Sequence, residues 1–220
     1  MGLGTGNREL ATQVCFSSKW DPALVFGAFL VASWLAPLAP RATVPLQALL
    51  GAAAVVGLLF RVRRDLRGVG LRVDNLASTV AVFLLAACAL SAPVVAFMTV
   101  SPISGGELAT YSVWAFFQQF LVVAGFWRPF REMLGPRTSV AREATAALLA
   151  SGAFALAHLP NLPLMLLVLV AEFVWLVLFA RFRNLFSLSL AHALAALVAS
   201  HGLAPDWLSS MRVGLRYWQP

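Results

Sequence analysis

Five side chains able to handle protons or orient water stand inside long apolar runs of this sequence: Gln118, Gln119, His158, Glu172 and His192. A carboxylate can take a proton from water. An imidazole can give or take one near neutral pH, and a carboxamide can hold a water or an oxyanion without acting as a base. Together they make the inventory of a water-activating hydrolase. Each also has a plainer reading, since a buried His or Gln often serves as hydrogen-bond glue between helices at about 1 kcal/mol. Glu172 resists that reading most, because it is the one ionisable group on its run before Arg181, and a lone carboxylate in an apolar segment must be neutral or paired.

The runs that hold these residues set their solvent. With 60% apolar and 11% charged residues, a chain of 220 residues lacks the polar surface to cover a water-soluble domain. Lipid leaves no water for backbone groups, so Ala-, Leu- and Val-rich stretches of this length are expected as helices and not as a barrel. Seven spans are expected, from about Pro22 to Leu38, Val44 to Phe60, Leu76 to Val100, Ser112 to Trp127, Glu143 to Leu159, Pro163 to Ala180 and Leu185 to Leu203. The first pair, crowded by Pro37, Pro40 and Pro45, admits a re-entrant alternative, and Pro93 predicts a kink in the third span.

Thirteen of the sixteen Lys and Arg residues then fall on one side, the exceptions being Arg41, Arg212 and Arg216. That asymmetry predicts an integral inner-membrane protein with a cytoplasmic N-terminus and an external C-terminus. The charge of +7 is spread in short clusters between spans, which argues against nucleic acid as a partner. The polar first twenty residues lack the apolar core of a cleaved signal and read as retained. Cys15 and Cys88 lie at different depths and are expected as free thiols, Cys88 as a small buried apolar residue. Trp20, Trp127 and Trp207 read as interface anchors, and His201, near a span end, as a solvated histidine.

At about 1.5 Å per residue, Gln118 is placed about 9 Å, Glu172 about 14 Å and His192 about 16 Å below the outer ends of their helices, with His158 shallower. Four helices thus carry polar groups at overlapping depth, which predicts one shared cavity toward the outer face. The inner halves of these helices are almost wholly apolar, which counts against a permease.

The motifs around these residues resemble those of the CAAX-protease and bacteriocin-processing (CPBP, Abi-type) family of intramembrane peptidases. Ser151 to Asn161, SGAFALAHLPN, is similar to the family's Phe-x-x-x-His motif through Phe154 and His158. Phe179 to Leu197, FARFRNLFSLSLAHALAAL, is similar to the motif in which a basic loop leads into a helix bearing His192. Phe117 to Gly135 occupies the place of the Glu-Glu-x-x-x-Arg motif, with Ala124 to Phe126 similar to its Arg-Gly-Phe ending. The resemblance covers about Ser112 to Ser200. It implies an all-α polytopic bundle forming a single membrane domain over 1–220, with scaffold helices in 1–111 and the CPBP-like core in 112–203.

It also implies hydrolysis of a peptide bond near the membrane surface by paired glutamates and two histidines, on a membrane-anchored protein or peptide substrate. The sequence departs from that pattern: Gln118 and Gln119 stand for the glutamates, Val123 for the arginine and Ala196 for an asparagine. Three accounts stay open. Glu172 supplies the carboxylate, or the substrate supplies a nucleophile with His158 or His192 as base, or the fold binds a membrane peptide without cutting it. The second would suit sorting by transpeptidation, as proposed for the divergent myxosortase relatives. No cofactor is expected, and two histidines without an adjacent carboxylate make a weak zinc site.

Overall fold

The computed structural model describes residues 20–38, 42–136, 139–203 and 211–218. Cys15, Pro40, Arg41 and Trp207, for which the sequence carries expectations, lie outside them. All regular structure among the described residues is helical. Helix α1 (Asp21–Leu30) runs on through a π-helical turn (Val31–Leu35) and a 3-10 turn (Ala36–Leu38). It is followed by α2 (Thr43–Val62), α3 (Leu76–Phe97) and α4 (Gly105–Leu121), which continues through a π-helical stretch (Val122–Trp127) into α5 (Arg128–Met133). Then come α6 (Val140–Leu156), α7 (Leu162–Phe182), α8 (Leu185–Leu203) and a 3-10 turn (Gly214–Trp218).

These make seven rods, six of them long and apolar enough to cross a membrane; α6, with 17 residues, is shorter than that standard. Side chains such as Phe97 and Leu85 stand 83% and 70% exposed on the bundle. In water this would be an adhesive surface, whereas lipid makes it the ordinary solvated face. The fourth rod starts seven residues earlier than Ser112, because Ser104 and Glu107 cap each other's backbone N–H groups and fix the first turn.

The core-bearing contacts join α3 and α4 to α8, and α6 to α7. Phe83, Phe120, Trp127, Phe179, Leu185 and Leu188 fill the end of the bundle nearer the arginine-rich loops. There α7 ends at Arg183, which takes a left-handed conformation (φ 49°), and Asn184 caps α8 by accepting from the Ser187 N–H. Asn184 also donates to Asn75 and to the Arg72 carbonyl, while Asn75 donates to the Phe182 carbonyl. The turn before α3 is thereby stitched to the turn before α8.

Gly70 belongs to the same junction. Its φ is +78°, its carbonyl accepts from the Leu185 N–H, and a Cβ would lie 2.6 Å from the Phe179 ring. Gly70→Ala combines a strained backbone with a collision against a buried ring, so we expect a loss of about 1–3 kcal/mol. A thermal scan of the detergent-solubilised protein should show the melting temperature fall by several degrees, and an unchanged transition would contradict this account.

Two expectations are corrected here. Trp127 is 1% exposed rather than an interface anchor, because the π-helical turn directs it into the core, edge-on to Phe179 and under the Arg183 guanidinium at 4.4 Å. Cys88 is exposed rather than buried. The packed stripe of α3 is Thr79, Phe83, Ala87 and Ser91, and the residue after Ala87 turns outward by helical geometry.

At the arginine-rich end Arg128 pairs with Asp65 and Glu132 at 3.1 and 3.0 Å, and Arg131 with Glu143 at 2.6 Å. Burial pushes the Arg183 guanidinium down to about 10; Arg131 and Arg128 add to the shift, while Glu143 and Asp65 oppose it. Arg128–Asp65 and Arg131–Glu143 thereby tie separate segments of the chain together.

Candidate functional site

The site begins with α4. Two adjacent glutamines on a helix point about 100° apart, and the structure divides them accordingly: Gln118 lines a cavity, whereas Gln119 is fully buried between α4, α7 and α8. The Gln119 Nε2 donates to Glu172 Oε2 at 2.8 Å and lies 3.0 Å from His192 Nδ1. An ionised carboxylate only accepts, so it selects the amide nitrogen of Gln119. The second proton of that nitrogen then meets His192 Nδ1 as acceptor, which leaves the His192 Nε2 carrying the imidazole proton. His192 Nδ1 and Glu172 Oε2 are 3.8 Å apart. The three residues form one hydrogen-bonded set.

His158 is held by different means. It follows α6 in a tight turn, and its Nδ1 is 2.8 Å from the Phe154 carbonyl. A carbonyl cannot donate, so Nδ1 carries the proton and Nε2 is bare. The Phe154 ring stands edge-on at 4.8 Å and fixes the imidazole plane. The turn is anchored on both sides: the Gly214 N–H donates to the Leu159 carbonyl at 2.7 Å, and Asn161 caps α7 by accepting from Leu164 N–H. The motif Phe and His, four residues apart, are thus one mechanical unit.

The cavity holds about 110 Å³. His158, His192, Glu172 and Gln118 all line it, with Tyr111 and Trp175, and most of the remaining wall is apolar. Every candidate taken from the sequence therefore lies in its wall or, for Gln119, is bonded to two residues that do. His201 is elsewhere, 2.9 Å from the Ser101 hydroxyl. Sequence reasoning missed Tyr111 and Trp175. The signal was there in spacing: Tyr111 precedes Gln118 by two helical turns, and Trp175 follows Glu172 by about one turn on the same face.

Five buried polar atoms of this site have no protein partner: Ser91 Oγ, Gln118 Oε1, Gln119 Oε1, Glu172 Oε1 and Trp175 Nε1. Buried groups of this kind are uncommon and mark places where water or substrate completes the bonding. A metal fits less well. Among the described residues no three His, Cys, Asp or Glu side chains converge as ligands, and the Gln119 amide nitrogen fills the position between Glu172 and His192.

Comparison with known proteins agrees with the motifs. Residues 113–198 match the family described as Rce1-like, type II CAAX prenyl endopeptidase, and this segment contains all five candidate residues. No curated protein and no solved structure matches the chain.

Proposed function

We propose that this integral membrane protein, whose residues 113–198 carry an Rce1-like CAAX-protease domain, is an intramembrane peptidase that cuts a membrane-proximal segment of a protein or peptide. The observation that carries this reading is the Gln119-bridged pair of Glu172 and His192 at a cavity whose wall His158 shares. Glu172 takes the proton of a water as its oxygen attacks the scissile carbonyl. The His192 Nε2–H donates to the developing oxyanion, and the bare His158 Nε2 accepts from the scissile N–H. When the C–N bond breaks, the proton held by Glu172 passes to the departing amine. Water and peptide become a carboxylic acid and an amine, with no co-reactant.

Two features support this over the alternatives. The segment that resembles the family's paired-glutamate motif forms α4, and here a carboxylate comes from α7, where Glu172 is bonded directly to Gln119, one of the two glutamines standing in the motif's place. The bundle toward the arginine-rich end is filled by large apolar side chains, which gives a permease no polar path. A second reading, a silent relative that binds a membrane peptide, is favoured by Gln118 and Gln119 themselves, since neither can act as a base. On the peptidase reading the site opens to the external face, as the arginine asymmetry suggests.

The test uses the purified full chain in nanodiscs with a library of single-span reporters bearing randomised juxtamembrane segments. His192→Ala and His158→Ala should each slow cleavage by roughly a hundredfold or more while the protein remains folded. Cleavage at the wild-type rate in both variants would overturn the assignment of the chemistry to these histidines, and none by the wild type across the library would leave only the silent reading.

A further inference from the structure

We infer that Trp175 holds the nucleophilic water, with its indole N–H as the donor that fixes the water's oxygen beside Glu172. The inference rests on the reading of Glu172 as the base.

Trp175 is fully buried, lines the cavity, and its Nε1–H has no protein partner. An indole N–H can only donate. Leaving it unpaired in an apolar helix bundle is costly, and a wholly apolar side chain would not carry that cost. Of the site's other unpaired atoms, three are carboxylate or amide oxygens, which accept, and the fourth is the Ser91 hydroxyl, which can do either. Glu172 Oε1, about one helical turn away on α7, and Gln118 Oε1, across the cavity on α4, are buried acceptors lacking a donor. Glu172 Oε2 is already taken by Gln119, so Oε1 is the oxygen that faces a new partner.

Gln119 is not part of the cavity wall, and the Trp175 donor with the two acceptors that are, Glu172 Oε1 and Gln118 Oε1, is a set that one water molecule matches. Its two protons go to Glu172 Oε1 and Gln118 Oε1, and one lone pair accepts from Trp175 Nε1–H. The fourth tetrahedral direction is the second lone pair, free to attack a carbonyl presented from the cavity. This arrangement also gives Gln118 a role suited to a carboxamide, orienting a water it cannot deprotonate. α7 thus carries both the base and the water's anchor, which a helix fixes relative to each other at spacing i and i+3. Trp175 is on this account a positioning residue.

Trp175→Phe keeps an aromatic ring, though a smaller one, and removes the donor. In the nanodisc assay we expect kcat to fall about tenfold, the scale of one neutral hydrogen bond, with KM unchanged. A second nucleophile separates positioning from packing. Hydroxylamine converts the same peptide bond to a hydroxamate plus the amine and does not need the indole to hold it. The hydroxamate-to-acid product ratio should therefore rise about tenfold in Trp175→Phe. This ratio does not depend on how much of the variant folds. An unchanged ratio overturns the inference. Independently of turnover, a high-resolution structure of the whole protein should show a water bridging Trp175 Nε1 and Glu172 Oε1, and its absence there overturns the inference as well. A water at that place in a protein whose Glu172→Gln variant cleaves normally would keep the water site and sink the peptidase role of Glu172 instead.

Discussion

Glu172→Gln should reduce kcat roughly a thousandfold while leaving the fold and KM nearly unchanged. The substitution keeps the shape of the side chain and one acceptor oxygen, so the bond from Gln119 Nε2, 2.8 Å in the native protein, survives as an amide-to-amide contact. What disappears is the only carboxylate among the described residues that lines the cavity, and with it proton removal from water; general-base contributions of this kind are worth about 10²–10⁴ in rate. The measurement is single-turnover cleavage of a reporter selected from the library, beside a thermal scan. If the variant cleaves at the native rate, the base lies elsewhere and the account in which the substrate brings its own nucleophile takes precedence. If it unfolds, the comparison moves to Glu172→Asp, which keeps the charge and withdraws it by one methylene; there a lower rate with an intact fold is the expected outcome.

Much of this site was legible in the sequence because depth along a helix is arithmetic. A fixed rise per residue places Gln118, Glu172 and His192 in overlapping layers without any knowledge of packing, and the structure brings these residues to one cavity. Azimuth was less accessible. Nothing in the order Gln118–Gln119 says which of the two faces the cavity and which bridges α7 and α8, because that depends on how α4 is rotated against its neighbours. Trp127 and Cys88 were misplaced for the same reason: hydrophobicity in a membrane protein does not separate core from lipid, since both are apolar. Trp175 escaped notice for a different one. A tryptophan in the middle of an apolar span looks like packing until its N–H is found without an acceptor, and that finding exists only in three dimensions.

The exchange of Gln119 and Glu172 offers the sharpest test of the idea that the carboxylate has moved between helices. Where the family carries glutamate, this chain has Gln119, and the residue bonded to it is Glu172. In the double variant Gln119→Glu, Glu172→Gln the same amide-to-carboxylate bond can form with its ends reversed. The negative charge then sits on α4, still within reach of His192, which already contacts position 119. We expect Gln119→Glu alone to be damaging, because two buried carboxylates in contact cannot both ionise without a cost on the order of several kcal/mol. Cleavage should be lost in Glu172→Gln and recovered by at least about tenfold in the double variant, and the coupling between the two sites should exceed about 1 kcal/mol in a thermodynamic cycle. Strict additivity of the two substitutions would contradict this interchange. Recovery would mean that water activation in this site depends on one carboxylate and one carboxamide sharing a hydrogen bond, whichever helix contributes the charge.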